Sequence, residues 1–242
     1  MNQYKIIVSI LFLWSVSMFT NPIKAQEVMA IEKGLSVQEK NIISIAALTA
    51  KGDLVNLKMA LNNGLEVGLT VNEIKEILVH TYAYCGFPRS IRGLQTFMEV
   101  VNERKAKGIT DKMGREASII KADDNKYERG KKVLEELTKT PAPEKLVGYA
   151  AFAPIIDAFL KEHLFSDIFE RDILTYAQRE LVTLSVISAI GDAEPMLKGH
   201  LAIALNVGFS LKQLKEFIAI IQPSSGSEKT KAAEKTVNDL VK

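Results

Sequence analysis

The stretch LKMALNNGLEVGLTVNEIKEI at residues 57–77 recurs as LKGHLAIALNVGFSLKQLKEF at residues 197–217. Set 140 residues apart, Leu57/Leu197, Lys58/Lys198, Leu61/Leu201, Leu65/Leu205, Val67/Val207, Gly68/Gly208, Lys75/Lys215 and Glu76/Glu216 are identical, and Gly86 meets Gly226. The preceding stretch repeats too. LSVQEKNIISIAALTAKGD at 35–53 lies over LTYAQRELVTLSVISAIGD at 174–192, here 139 residues apart, so one residue is gained between the two blocks. A period this long is a two-copy duplication, not a solenoid.

The repeated unit reads as helical. Alternating β-branched runs flanking Asn-Gly or Asp-Gly turns do not occur, and apolar residues instead recur at three- and four-residue steps. Within 71–84, Ile74, Ile77, Leu78 and Thr81 share one face; within 180–189, Leu181, Leu184, Val186 and Ile187 form the broader stripe of a helix buried on most sides. Ser36, Thr70, Thr175 and Ser210 each stand where an N-cap belongs, and Glu73, three residues past Thr70, completes a capping box. Gly68 and Gly208 fall where a helix ends and positive φ is wanted. Each copy therefore reads as four helices: one ending near Gly52 or Gly191, one ending at Gly68 or Gly208, a third, and a fourth after Gly86 or Gly226. The expected fold is all-α, with two tandem repeats packed as one pseudo-symmetric unit.

Around the copies, the chain divides into a leader at 1–25, a first repeat at 26–107, a charged linker at 108–144 and a second repeat at 145–242. The linker is broken by Gly114, Gly130, Pro141 and Pro143. It should hold one surface helix at 127–137 and a solvated charge run at 111–132. Residues 145–169 are apolar again and should enter the second copy as one or two helices. The leader has a basic start, a 14-residue apolar run from Ile6 to Phe19, and Ala25 before Gln26, the layout of a secretory signal peptide. An uncleaved anchor is the alternative, although the run is short for a span of roughly 20 residues. The expected location is periplasmic or secreted, with no membrane association once the signal is cleaved.

Composition narrows the chemistry. The 242 residues are 47% apolar and 25% charged, the balance of an ordinary globular protein. Lys5 and Lys24 are the only charges of the leader, so its removal leaves acids and bases balanced and gives no electrostatic case for nucleic acid. The single cysteine, Cys85, excludes an internal disulfide, a Cys-rich zinc site and a two-cysteine redox centre within one chain. Three scattered histidines without HxH or HxxxH spacing argue against a protein-only metal site. There is no Gly-rich phosphate loop and no serine-nucleophile elbow. No cofactor and no metal are expected.

The run from Leu197 through His200, Ala204 and Gly208 to Phe209-Ser210, preceded by a helix ending in Gly191-Asp192, resembles the carboxymuconolactone decarboxylase family, which includes the alkylhydroperoxidase D-like proteins. The segments 165–169 and 174–181, and Tyr84-Cys85-Gly86-Phe87-Pro88 in copy one, are similar to further family patterns. The resemblance covers about 35–105 and 145–240. It implies an all-helical fold and assembly as a homo-oligomer, here a trimer of tandem chains. It also implies His200 and a facing Glu180 as the catalytic pair. A carboxylate beside an imidazole fixes its tautomer and favours its proton-donating form. The copy-one equivalents, Asn41 and Ala60, cannot titrate, so copy two is the expected active copy. The plainer alternatives are a satisfied interfacial histidine and a helix N-terminal carboxylate. In the peroxidase branch a Cys-x-x-Cys precedes this histidine; Ala193 and Met196 stand there instead.

Arg179 and Lys198 are the expected partners for a substrate carboxylate. His80, Tyr84 and Cys85 could line the substrate site, with core packing as their alternative role. Amide dipoles near the start of the fourth helix could lower the Cys85 pKa. Three functions follow: a lyase acting by acid–base decarboxylation on a small carboxylated or lactone substrate; a peroxidase-related redox protein lacking the two-cysteine motif; and a non-catalytic exported oligomer that binds a small ligand.

Overall fold

The computed structural model describes residues 33–120, 125–225 and 227–239. The expected leader and Gly226 lie outside them. Among the described residues the regular structure is helical, with no strand. Copy one supplies α1 (Val37–Lys51), α2 (Leu54–Glu66) and α3 (Val71–Ala106). The connection holds α4 (Lys126–Thr138), the short α5 (Gly148–Phe152) and α6 (Pro154–Ala158), and a π-helical run, Phe159–Ile168. Copy two supplies α7 (Tyr176–Ile190), α8 (Glu194–Asn206), α9 (Leu211–Ser225) and α10 (Ser227–Asp239).

The helix boundaries are written into the sequence. Ser36 and Glu39, Thr70 and Glu73, and Thr175 and Gln178 close reciprocal capping boxes at the starts of α1, α3 and α7. Ser210 and Gln213 make the same exchange ahead of α9. Gly68 and Gly208 take φ of 92° and 104°, a region that suits glycine. The expected third and fourth helices of copy one run end to end as α3, broken at Gly86, whose φ of 80° and ψ of 160° are not helical. Pro88 follows the break, where its missing N–H falls in the first turn of the new helix.

At the centre, α1 packs against α7, one from each copy. The partner helices are exchanged: α3 packs on both α1 and α7, and so does α9. Ile42, Ile43 and Ile45 of α1 and Leu181, Val182, Leu184 and Val186 of α7 are completely buried. Burying each such side chain contributes about 1.5–3 kcal/mol before chain entropy is charged against it.

The linker departs from expectation. The helix α4 is docked: Val133 and Leu137 join Leu164, Phe165, Ile168, Phe169 and Ile203 in a second apolar cluster. Its Gly130 lies so close to the π-helical run that an added Cβ would stand 1.7 Å from the Lys161 carbonyl oxygen. Nor is the charge run simply solvated. The first amides of α3, which no helix bond can satisfy, are taken by the linker: Val71 donates to the Lys112 carbonyl at 3.0 Å and Asn72 to that of Met113 at 2.9 Å. Asp111 accepts from Arg104, and Ser118 donates to Asp172. These bonds tie the connection to copy one and, at Asp172, to the segment entering copy two.

Two glycines separate crowding from helix propensity. Gly130→Ala should lose about 1–3 kcal/mol of stability in urea unfolding, because a backbone carbonyl blocks the new methyl. Gly199→Ala, within α8 and with nothing within 4 Å of its added Cβ, should be neutral or gain up to about 1 kcal/mol.

Candidate functional site

Glu180 and His200 are brought together. Glu180 sits in the first turns of α7, its side chain completely buried, and His200 sits on α8 with its side chain 15% exposed. The His200 Nδ1 lies 2.9 Å from the Glu180 Oε2. With a carboxylate there, Nδ1 carries the proton and donates.

The turn between the two helices contains the residue gained over copy one. In copy one, Asp53 directly caps α2 by accepting from Asn56 N–H. In copy two, Gly191 and Asp192 both take positive φ, 72° and 56°, and Ala193 follows at the α8 N-cap with no side-chain cap bond. The copy-one positions are chemically silent: Asn41 donates to the Val37 carbonyl of its own helix, and Ala60 is buried.

Copy one nevertheless contributes through α3. Tyr84 packs T-shaped on the His200 ring with centroids 5.8 Å apart, and against His80 at 5.5 Å. Burial, then the nearby Glu180 charge, push the Tyr84 phenol well above its ordinary pKa; Thr183 and Arg179 oppose the shift. The Tyr84 hydroxyl and Glu180 Oε1 are both buried without a hydrogen-bond partner.

Beside this lies a buried charged cluster. Arg179, with no side-chain exposure, donates to Glu76 at 2.8 Å, to the Arg171 carbonyl, and to His80 Nδ1 at 3.1 Å. Since a guanidinium only donates, His80 Nδ1 is the acceptor, and its Nε2–H donates to Thr183 Oγ1 at 2.9 Å. Burial, the Arg179 charge and His200 together push the His80 pKa well below its ordinary value. Arg171 adds a second ion pair to Glu76 at 2.9 Å.

Several expected site residues are placed otherwise. Arg179 does not face an incoming carboxylate; it is enclosed and committed to Glu76. Lys198 is exposed on α8. His80 is fully buried with both ring nitrogens engaged, so it offers nothing to a substrate directly. Cys85 is half-buried just before the Gly86 break and donates to the Thr81 carbonyl at 3.1 Å; burial pushes its pKa up, against the lowering expected from helix dipoles. His163 is exposed and pairs with Asp167. Five surface clefts span roughly 360–490 Å³, and none of the five is lined by Glu180 or His200. Among the described residues no three His, Cys, Asp or Glu side chains cluster as a metal site.

Sequence reasoning missed Glu76 and Thr183 as neighbours of the site. The signal for Glu76 was its identity with Glu216. Arg179 falls at the repeat position of Lys40, and the structure pairs both cations with these acids across the copies: Arg179 with Glu76, and Lys40 with Glu216 at 3.5 Å.

The sequence profile of the carboxymuconolactone decarboxylase family matches residues 23–97 and 154–239. The chain belongs to this family and carries its domain twice in tandem. A search of curated proteins gave no match.

The two cross-copy ion pairs should differ sharply. Glu76→Gln should cost about 3–5 kcal/mol in denaturant unfolding, because it leaves a buried guanidinium unpaired. Glu216→Gln, at a half-exposed pair, should cost no more than about 1 kcal/mol.

A pH dependence follows from His80. Its folded pKa lies below its ordinary value of 6.5, so the unfolded chain takes up the proton first. His80 therefore supports the fold fully above about 6.5, and that support drains away as pH falls toward the lowered folded value. Unfolding free energy measured between about pH 5 and 7 should fall with acidity, and the slope should flatten in His80→Gln.

Proposed function

We propose that this chain is a carboxymuconolactone decarboxylase-like enzyme performing acid–base decarboxylation, or closely related proton transfer, on a small carboxylated or lactone substrate. Glu180 and His200 are its catalytic residues. The observation that carries the reading is the 2.9 Å bond from a partly exposed imidazole to a wholly buried carboxylate. Such a carboxylate orients the ring, fixes the Nδ1–H tautomer and stabilises the imidazolium.

In the proposed reaction the bond between the substrate carbon and its carboxylate breaks and carbon dioxide leaves. The electron pair passes into the adjoining unsaturated lactone carbonyl. His200 Nε2–H then delivers a proton to carbon, and solvent restores the proton. With Arg179 enclosed, the exposed Lys198 is the remaining cation of the expected pair for the substrate carboxylate. We assign the chain to the periplasm or the exterior, as a homo-oligomer of tandem chains. The enclosure of Glu180 and the five clefts that avoid the pair favour one competing reading, a non-catalytic ligand-binding oligomer.

Carbon dioxide release from a panel of small carboxylated lactones and β-keto acids tests the assignment. His200→Ala should lower kcat by about 10²–10⁴ while leaving the helical circular dichroism intact. Glu180→Gln should lose a comparable part, because a neutral amide stabilises the imidazolium less. Full turnover in His200→Ala would remove the histidine from the mechanism; no turnover by the wild-type chain across the panel would favour the ligand-binding reading.

A further inference from the structure

Among the described residues, four buried side-chain polar atoms lack hydrogen-bond partners: Tyr84 Oη, Glu180 Oε1, Arg179 Nε and Ser188 Oγ. Native folds leave few such groups, because each forfeits hydrogen bonds it had in water. Two of the four flank the same imidazole. Glu180 holds His200 Nδ1 through its other oxygen, and Tyr84 packs against the His200 ring. They are complementary: a carboxylate oxygen accepts only, and a protonated phenol donates. They come from different copies, Glu180 on α7 and Tyr84 on α3.

We propose that Tyr84 Oη and Glu180 Oε1 form a subsite, completed across the two repeats, for a neutral hydroxyl or enol group of a small ligand. The ligand O–H donates to Glu180 Oε1, and the ligand oxygen accepts from the Tyr84 hydroxyl. This rests on the reading of Glu180 and His200 as the functional pair, and it adds the ligand class and the copy-one donor. A neutral O–H group is the fit because an anionic oxygen would meet the Glu180 charge. The Tyr84 phenol is held protonated by burial and by that same charge, so it remains a donor throughout the neutral range. By repeat alignment the position opposite Tyr84 in copy two is Ser224, and the positions of the pair in copy one are Asn41 and Ala60. The second potential subsite therefore lacks phenol, carboxylate and imidazole alike.

The test uses the full chain with 4-nitrophenol and its methyl ether, 4-nitroanisole, as probes. Both are followed by tryptophan-independent absorbance and by competition dialysis. The wild-type chain should bind 4-nitrophenol at least tenfold more tightly than 4-nitroanisole, with the bound probe in its neutral phenol band. Tyr84→Phe should lose about tenfold for 4-nitrophenol and leave 4-nitroanisole unchanged, with its melting temperature retained or raised because a buried unpaired hydroxyl is gone. Glu180→Gln should let the bound probe ionise more readily. Equal binding of the two probes, an unchanged Tyr84→Phe, a bound probe in the phenolate band, or no saturable binding to wild type would each overturn the subsite. These binding readouts need no turnover, so they can fail while His200→Ala still abolishes catalysis, and the reverse.

Discussion

The guanidinium of Arg179 is the constraint on which the arrangement depends. It is a permanent charge removed from water, and it survives there only because Glu76, the Arg171 carbonyl and His80 Nδ1 surround it. Those partners lie on α3 of the other copy and on the loop entering α7. The ion pair therefore fixes how far α7 slides along α3 and how it is rotated. Rotation matters most, since Glu180 is the next residue: with Arg179 turned toward copy one, Glu180 turns toward α8 and His200. The same contact positions α3, whose Tyr84 packs edge-on against the imidazole.

The pseudo-symmetry of the fold makes the asymmetry of its chemistry informative. Lys40 and Glu216 repeat the cross-copy ion pair in a half-exposed, looser form. At the positions of Glu180 and His200, copy one has Asn41, bonded to its own helix, and the buried Ala60. Each copy keeps its capping boxes and its buried first helix. What differs includes the polar side chains around one imidazole and the turn before α8, where the Asp53 cap has no counterpart. The duplicated architecture is thus separable from the polar pair: the apolar faces recur in both copies, and the Glu180–His200 bond occurs in one.

Most of the fold was legible because local rules determine it. Ser36, Thr70, Thr175 and Ser210 mark helix starts by a side-chain hydrogen bond that spans three residues, and Gly68 and Gly208 mark stops by a backbone preference. Internal repetition then supplied the pairing of helices. The approach of Glu180 to His200 was legible through the family resemblance, which proposed an interaction across 20 residues of chain. Arg179 was read as a partner for a substrate carboxylate; its acid, Glu76, lies 103 residues away, and no local pattern announces it. The linker was misjudged for a similar reason. Its charges and glycines looked solvated, yet Lys112 and Met113 offer backbone carbonyls, which composition does not reveal. The helix α4 was read as a surface helix although Val133 and Leu137 already formed an apolar edge.

That the connection is bonded to the first copy at Arg104–Asp111 and to the entry of the second at Ser118–Asp172 bears on how the two halves are held together. Separate subunits pair by chance, and an inactive form poisons a share of every assembly it enters. Joined in one polypeptide, two unlike halves always meet in fixed stoichiometry. The covalent tether thereby keeps the half that lends Tyr84 always beside the half that carries the imidazole.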